Sequence, residues 1–140
     1  MEGNINDSSL LDSLFSTHKF EAVIHLAAES HVDRSISEPL KFANTNILGT
    51  INLLNAFCEI WINNWNEKLF YHISTDEVFG PAPKGINYKE NDRYNSTNPY
   101  SASKAGGEEL VVAFENTYGL PSFITHTMNV FGERQNPEKY

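Results

Sequence analysis

The sequence predicts an α/β fold, a partial Rossmann-type doubly wound parallel sheet, and three observations carry that expectation. Short apolar runs of strand length alternate with longer stretches whose apolar residues recur every three or four positions. The first run, Ala22 to Ala28, is nearly continuous rather than alternating, which suits a strand buried on both faces. Polar clusters follow each run, and open parallel sheets bind ligands beyond the carboxyl ends of their strands.

The elements follow in order. Leu10, Leu11, Leu14 and Phe15 fall at helical spacing behind Asp7-Ser8, residue types that cap helix N-termini. After the first strand and a polar loop, Leu40, Ala43, Ile47, Ile51, Leu54, Cys58 and Trp61 predict one long amphipathic helix entered just after Pro39. Leu69 to Thr75 is the second strand. An irregular stretch from Gly80 to Asn98 contains Pro81, Pro83 and Gly85, and loops of this length are usually functional or mobile. Pro99 opens another helix, carrying Leu110, Val111, Phe114 and Tyr118, which Gly119 and Pro121 end. Phe123 to Met128 is the third strand. Strand-helix alternation implies βαβ units and a sheet covered on both faces. Its three carboxyl ends then bring Glu29-Ser30-His31, Thr75-Asp76-Glu77 and Asn129 to one edge. The 140 residues read as a single incomplete domain, 1–140.

Composition narrows the function classes. Ten Lys and Arg against eighteen Asp and Glu give a net charge of -8, which disfavours a nucleic-acid partner, whose phosphates want a basic face. A phosphorylated small ligand remains compatible, because backbone amides and a few local cations suffice to hold one. No stretch approaches the roughly 18 consecutive apolar residues of a membrane span. One cysteine, Cys58, leaves no internal disulfide, and the N-terminus lacks the pattern of a signal peptide, so a cytoplasmic protein is expected.

Three clusters are candidates for chemistry. In Tyr100-Ser-Ala-Ser-Lys104 the phenol and the ammonium share one helix face. A neighbouring cation favours the phenolate, and a fall of about 3 units from a pKa near 10 corresponds to about 4 kcal/mol. Such a pair suits proton removal from an alcohol while hydride leaves for a cofactor; the plain alternative is a surface Tyr and Lys four residues apart. Thr75-Asp76-Glu77 offers a hydroxyl and two carboxyls that can divide acid and base roles, or else a turn that ends the strand. Ala27-Ala28-Glu29-Ser30 offers small residues over which a flat cofactor can approach the backbone, or else tight strand-to-helix packing. Gly106-Gly107 inside a helix costs roughly 1–2 kcal/mol and implies close packing against a neighbour. His25, His72 and His126 read as satisfied core residues, Cys58 as inert core, and no metal site is expected.

Taken together, Leu26 to Ser35, Thr45-Asn46 with Gly49-Thr50, Ser74 to Gly80 and Asn98 to Lys104 resemble the extended short-chain dehydrogenase/reductases, and among them the dTDP-glucose 4,6-dehydratases. The resemblance covers nearly the whole chain. Tyr-x-x-x-Lys marks only the superfamily, whereas Ser-Thr-Asp-Glu-Val is far more specific. It implies NAD as cofactor, a nucleotide sugar (dTDP-glucose) as substrate and a homodimer built on the helices beginning near Leu40 and Tyr100. Tyr100, with Lys104 and Thr75, would take the 4-hydroxyl proton; Glu77 would remove the C5 hydrogen and Asp76 protonate the departing C6 hydroxyl. Leu26, Ala27, Ala28, Glu29, Ser30, Thr45, Tyr100 and Lys104 match cofactor-binding positions. Ser30, Thr75, Asp76, Glu77 and Asn129 match substrate-binding ones.

Departures accompany the match. No G-x-x-G-x-x-G or G-x-G-x-x-G occurs, Asn4 stands where the family usually has Asp, and Phe79 replaces a usual Tyr. The first strands with their glycine-rich loop and the C-terminal substrate domain are expected to be lacking, leaving residues 1–140 inactive alone. An epimerase or decarboxylase of the same superfamily is the competing enzyme, against which the Asp76-Glu77 pair argues. A non-catalytic remnant that dimerises with related subunits is the competing non-enzyme.

Overall fold

The structure, a computed structural model, describes residues 2–134. Its elements are α1 (Ser8–His18), β1 (Ala22–His25), α2 (Val32–Ser37), α3 (Pro39–Ala43), a π-helical segment (Asn44–Leu48), α4 (Gly49–Trp61), β2 (Leu69–Thr75), a 3-10 turn (Asp76–Phe79), α5 (Pro99–Tyr118) and β3 (Ser122–Thr127). The strands form one parallel sheet in the order β1-β2-β3, with His25 opposite His72 and Thr75 opposite Thr127. All three carboxyl ends therefore lie at one edge.

Local chemistry starts and stops the helices as read. Asp7 accepts a hydrogen bond from the Leu10 amide and starts α1. Asn98 starts α5 in a reciprocal capping arrangement with Ser101, Pro99 fills the first turn, and Gly119 ends the helix in the left-handed region (φ 69°).

The core lies between the sheet and α4, α5 and α1. Phe70 of β2 meets Phe57 of α4, Phe15 of α1 packs on Phe57 from the far side, and Val111 of α5 closes the cluster with Leu54 and Leu120. Burying a side chain of this size contributes about 1.5–3 kcal/mol, so these residues anchor the fold.

Four expectations change. β1 ends at His25 rather than Ala28, because the Asn46 side chain takes both the N–H and the C=O of Glu29 and draws that segment out of the ladder. The sheet is covered on one face rather than two: Val23, Phe70 and Ile124 face the helices, while Ile24 (63% exposed) and Phe123 (55%) lie open on either side of Tyr71. The long helix from Pro39 to Trp61 is helical throughout, but its middle is π rather than α. Finally, α2 lies in the stretch read as loop, and β3 begins one residue earlier than expected and ends one earlier. No helix among the described residues is long and apolar enough to cross a membrane.

Candidate functional site

The polar edge is built from the end of β2, the first turns of α5 and the segment after β1. Thr75 is the last residue of β2, and its hydroxyl accepts the Glu77 amide at 3.3 Å, which starts the 3-10 turn bearing Asp76 and Glu77. The same hydroxyl lies 3.5 Å from a carboxylate oxygen of Asp76. It also acts on the Tyr100 phenol in the first turn of α5, favouring its ionised form. One turn on, Lys104 is 6% exposed, and its ammonium donates to the Ile73 carbonyl at 2.6 Å. Thr75, Asp76, Glu77, Tyr100 and Lys104 are thus gathered by two adjoining elements.

The electrostatics differ from expectation at Tyr100. Its phenol titrates above its ordinary value, since burial dominates, the Thr75 hydroxyl opposes it, and the Glu77 and Asp76 carboxylates add to it. The expected lowering by a neighbouring cation does not prevail over burial, and the Lys104 ammonium donates to the Ile73 carbonyl. Burial brings Lys104 itself down to about 8, with Glu108 one turn further along opposing the fall.

The segment after β1 contributes Leu26, Ala27 and Ala28, all exposed, followed by the partly buried Glu29 and Ser30. Glu29 also pairs with Lys41 at 3.1 Å. Thr45 lies partly buried in the π segment, and Asn129 is exposed just past β3. Leu26 to Ser30 and Thr45 therefore adjoin the edge, the former through Asn46, whereas Asn129 shares the edge with no bond to the other site residues. The donor set suits a dinucleotide. The Lys104 ammonium has three protons and gives one to Ile73, and Ala27 and Ala28 present no bulky side chain to a flat ring.

Sequence reading assigned no role to Asn46 or Asn98. Asn46 is 2% exposed within the π segment and joins Glu29 to Ser103 of α5, which its amide reaches at 2.8 Å. Asn98 donates to Glu77 at 3.2 Å while capping α5. A signal existed for both: a buried Asn inside an apolar helical pattern opposes helix propensity, and Asn-Pro opens a helix. The histidines need correction too. Thr50 bonds one nitrogen of His25 at 2.9 Å, but both nitrogens of His72 are buried without a partner, so this residue is not a satisfied core histidine. Cys58 is buried and its thiol is pushed up to about 11, in keeping with inert core. Among the described residues no three His, Cys, Asp or Glu side chains gather where they could hold a metal.

With α5 setting a Tyr-x-x-x-Lys face against the carboxyl edge of a parallel sheet, the chain takes the form of an extended short-chain dehydrogenase/reductase. Within that class, a model of the GDP-mannose 4,6 dehydratase family matches residues 1–140, and the chain belongs to that family. It is 44% identical over 148 residues to a dTDP-D-glucose 4,6-dehydratase of Dictyostelium discoideum, a match covering 99% of this chain and 33% of that protein. The crystal structure of the dTDP-glucose 4,6-dehydratase DesIV from Streptomyces venezuelae, with NAD bound, superposes with a TM-score of 0.87 and 38% identity. That match covers 97% of this chain and 40% of the other. A UDP-glucose 4-epimerase of Thermotoga maritima, in complex with UDP-glucose, gives 0.88 at 32% identity, covering 98% of this chain and 43% of that one. The chain spans well under half the length of each of these relatives.

Proposed function

We propose that this chain carries the chemistry-bearing middle of an NAD-dependent nucleotide-sugar 4,6-dehydratase, which converts a dTDP-glucose-like substrate to its 4-keto-6-deoxy form. The observation that carries the reading is the junction of β2 and α5, where Thr75 Oγ1 lies against Asp76 and accepts the Glu77 amide, with Tyr100 in the adjoining first turn of α5. NAD, when bound, would accept a hydride from C4 and return it at C6. Tyr100 takes the 4-hydroxyl proton, with the Thr75 hydroxyl stabilising the phenolate and Lys104 supplying positive charge nearby. Once C4 is a ketone the C5 hydrogen is acidic; Glu77, steered by Asn98, removes it. Asp76 protonates the C6 hydroxyl as it leaves as water. C5 takes a proton back as C6 is reduced, so the cofactor would end as it began and the net change is loss of one water.

The likeness to an epimerase supports a second reading, because the fold fits both reactions equally well. The Asp76-Glu77 pair favours dehydration, since an epimerase has no elimination for two carboxyls to serve. The whole protein works in the cytoplasm as a homodimer. Exposed Leu40, Leu48 and Val112 on α3, the π segment and α5 support the pairing surface, and the lone buried Cys58 supports a reducing compartment. The test is to give the whole protein dTDP-glucose and NAD in heavy water. Dehydration yields a 4-keto-6-deoxy sugar with deuterium at C5, whereas a 4-epimer without loss of water would establish the second reading.

A further inference from the structure

The dehydratase reading leaves unused a cluster in which three elements meet at one atom. Glu108 of α5 is 2% exposed, and one of its oxygens accepts hydrogen bonds from the Tyr94 hydroxyl and, at 2.9 Å, from His126 Nε2 of β3. Its other oxygen is buried with no hydrogen-bond partner among the described residues. A carboxylate so placed is costly to bury, so stability alone does not account for it. Burial above all, with the Glu108 carboxylate against it, pushes the Tyr94 phenol above its ordinary value, so Tyr94 remains a donor.

Tyr94 belongs to the loop between the 3-10 turn and α5, and this loop folds back onto the turn that bears Asp76 and Glu77. The Asn95 amide donates to the Val78 carbonyl at 2.9 Å, and Gly80 (φ 73°) lies so close to the Asn95 carbonyl that no side chain fits. The buried ring of Phe79 meets the Tyr94 ring edge-on at 5.2 Å and the His126 ring at 4.8 Å. Residues 94 and 95 thus clamp residues 78 to 80 by backbone and by ring, and the Tyr94 hydroxyl ties that clamp to α5. Asp76, Glu77, Tyr94, Glu108 and His126 all line one cleft of about 1140 Å³, so the clamp sits on the side the carboxyl pair faces. Thr75, Tyr100 and Lys104 are held by other contacts: the β2-β3 ladder, the ring of Phe42 and the Ile73 carbonyl.

We propose that Tyr94 is a positioning residue for the Asp76-Glu77 pair. By donating to Glu108 it fixes the clamp, and with it the 3-10 turn, against α5 and β3. The role rests on the proposed reaction, but the clamp itself does not. It serves the elimination rather than the C4 oxidation, because the groups for oxidation are anchored elsewhere.

The test compares the two steps in the whole protein carrying Tyr94→Phe, which keeps the ring on Phe79 and removes the hydroxyl. In single turnover with NAD and dTDP-glucose in heavy water, deuterium entry at C5 slows at least about tenfold, within the roughly 10²-fold that a shift of about 1 Å can cost. Reduction of NAD keeps its rate, so NADH accumulates. Glu108→Ala removes the same bond from its other end and gives the same split, and the double variant adds nothing further. Glu108→Gln keeps an acceptor oxygen for Tyr94 and restores most of the C5 rate. Without substrate, hydrogen exchange at the Asn95 amide rises at least about tenfold in Tyr94→Phe, as loss of a hydrogen bond to a charged group implies. Where Glu108→Ala does not fold, Tyr94→Phe and Glu108→Gln carry the comparison. Folded variants that slow both steps equally or neither, or that leave the Asn95 amide protected, overturn the proposal, because a merely structural role does not separate the steps. If the Asn95 amide loosens but the unmodified protein epimerises its substrate without loss of water, the reaction is wrong and the clamp stands.

Discussion

At the scale of single residues, Tyr100 and Lys104 were legible because four-residue spacing on a helix fixes which side chains share a face. Their charge state was not legible, since it depends on where the ammonium points, and Lys104 donates to the Ile73 carbonyl. Burial above all, with the Glu77 and Asp76 carboxylates, makes the phenol harder to ionise in this chain than the spacing implies. The prediction at this scale is that Tyr100→Phe in the whole protein keeps the ring's packing against Phe42 and loses the proton acceptor. Single-turnover reduction of NAD then slows by about 10²–10⁴-fold, the usual worth of a positioned base. Retention of most of the rate would remove Tyr100 from that role. Asn46 stands in a motif that carries the family resemblance, but its bonding role was not legible because its partners, Glu29 and Ser103, are 17 and 57 residues away in sequence.

At the scale of elements, periodicity located all three strands and the long helices, because burial of one face repeats at 3.6 or 2 residues. It did not reveal the π segment, where a local widening leaves the three-and-four spacing of apolar residues almost unchanged. The two glycines of α5 separate packing from propensity. A Cβ on Gly107 would sit 2.5 Å from the Asn46 carbonyl, backbone that cannot yield, while one on Gly106 meets only the tip of Ile47 at 3.0 Å. Gly107→Ala therefore costs about 1–3 kcal/mol through overpacking in spite of better helix propensity. Gly106→Ala is close to neutral, and urea midpoints of the two variants give the comparison. The histidine pair on β1 and β2 sets an acid limit. Burial lowers His25 to about 4 and His72 further still, so the unfolded chain takes up protons first as pH falls below about 6.5. Stability is therefore intact above about pH 6.5 and lost on acidification, by up to about 1.4 kcal/mol per pH unit for each histidine. His72→Leu removes two unpartnered nitrogens and flattens that slope; an unchanged slope in chemical unfolding at pH 7 and 5 would exclude His72 as its source.

At the scale of the molecule, alternation of strand and helix gives the partial Rossmann-type parallel sheet that it predicts, while the described helices pack on one face and leave Ile24, Phe123 and Met128 exposed. Alternation alone does not say on which face each helix lands, and α4 and α5 pack beside each other over the same side. Residues 1–140 also contain no glycine-rich pyrophosphate loop, the backbone cradle on which a dinucleotide's phosphates rest. Expressed by themselves they associate through the open apolar face and bind NAD negligibly. Sedimentation and calorimetric titration check both statements, and micromolar binding to a monodisperse sample contradicts them.

The central claim, that the Asp76-Glu77 pair makes this family member a dehydratase, meets its most direct test in the double variant Asp76→Asn, Glu77→Gln of the whole protein. The amides keep the shape and hydrogen-bonding capacity of the pair and remove its titratable protons. Tyr100, Thr75 and Lys104 are untouched, so C4 oxidation still proceeds, but nothing removes the C5 hydrogen or protonates the departing hydroxyl. The account predicts that bound NADH accumulates, read by its near-ultraviolet absorbance, while deuterium exchange at C5 and release of water are suppressed. A double variant that still releases the 4-keto-6-deoxy sugar at near the unmodified rate contradicts it.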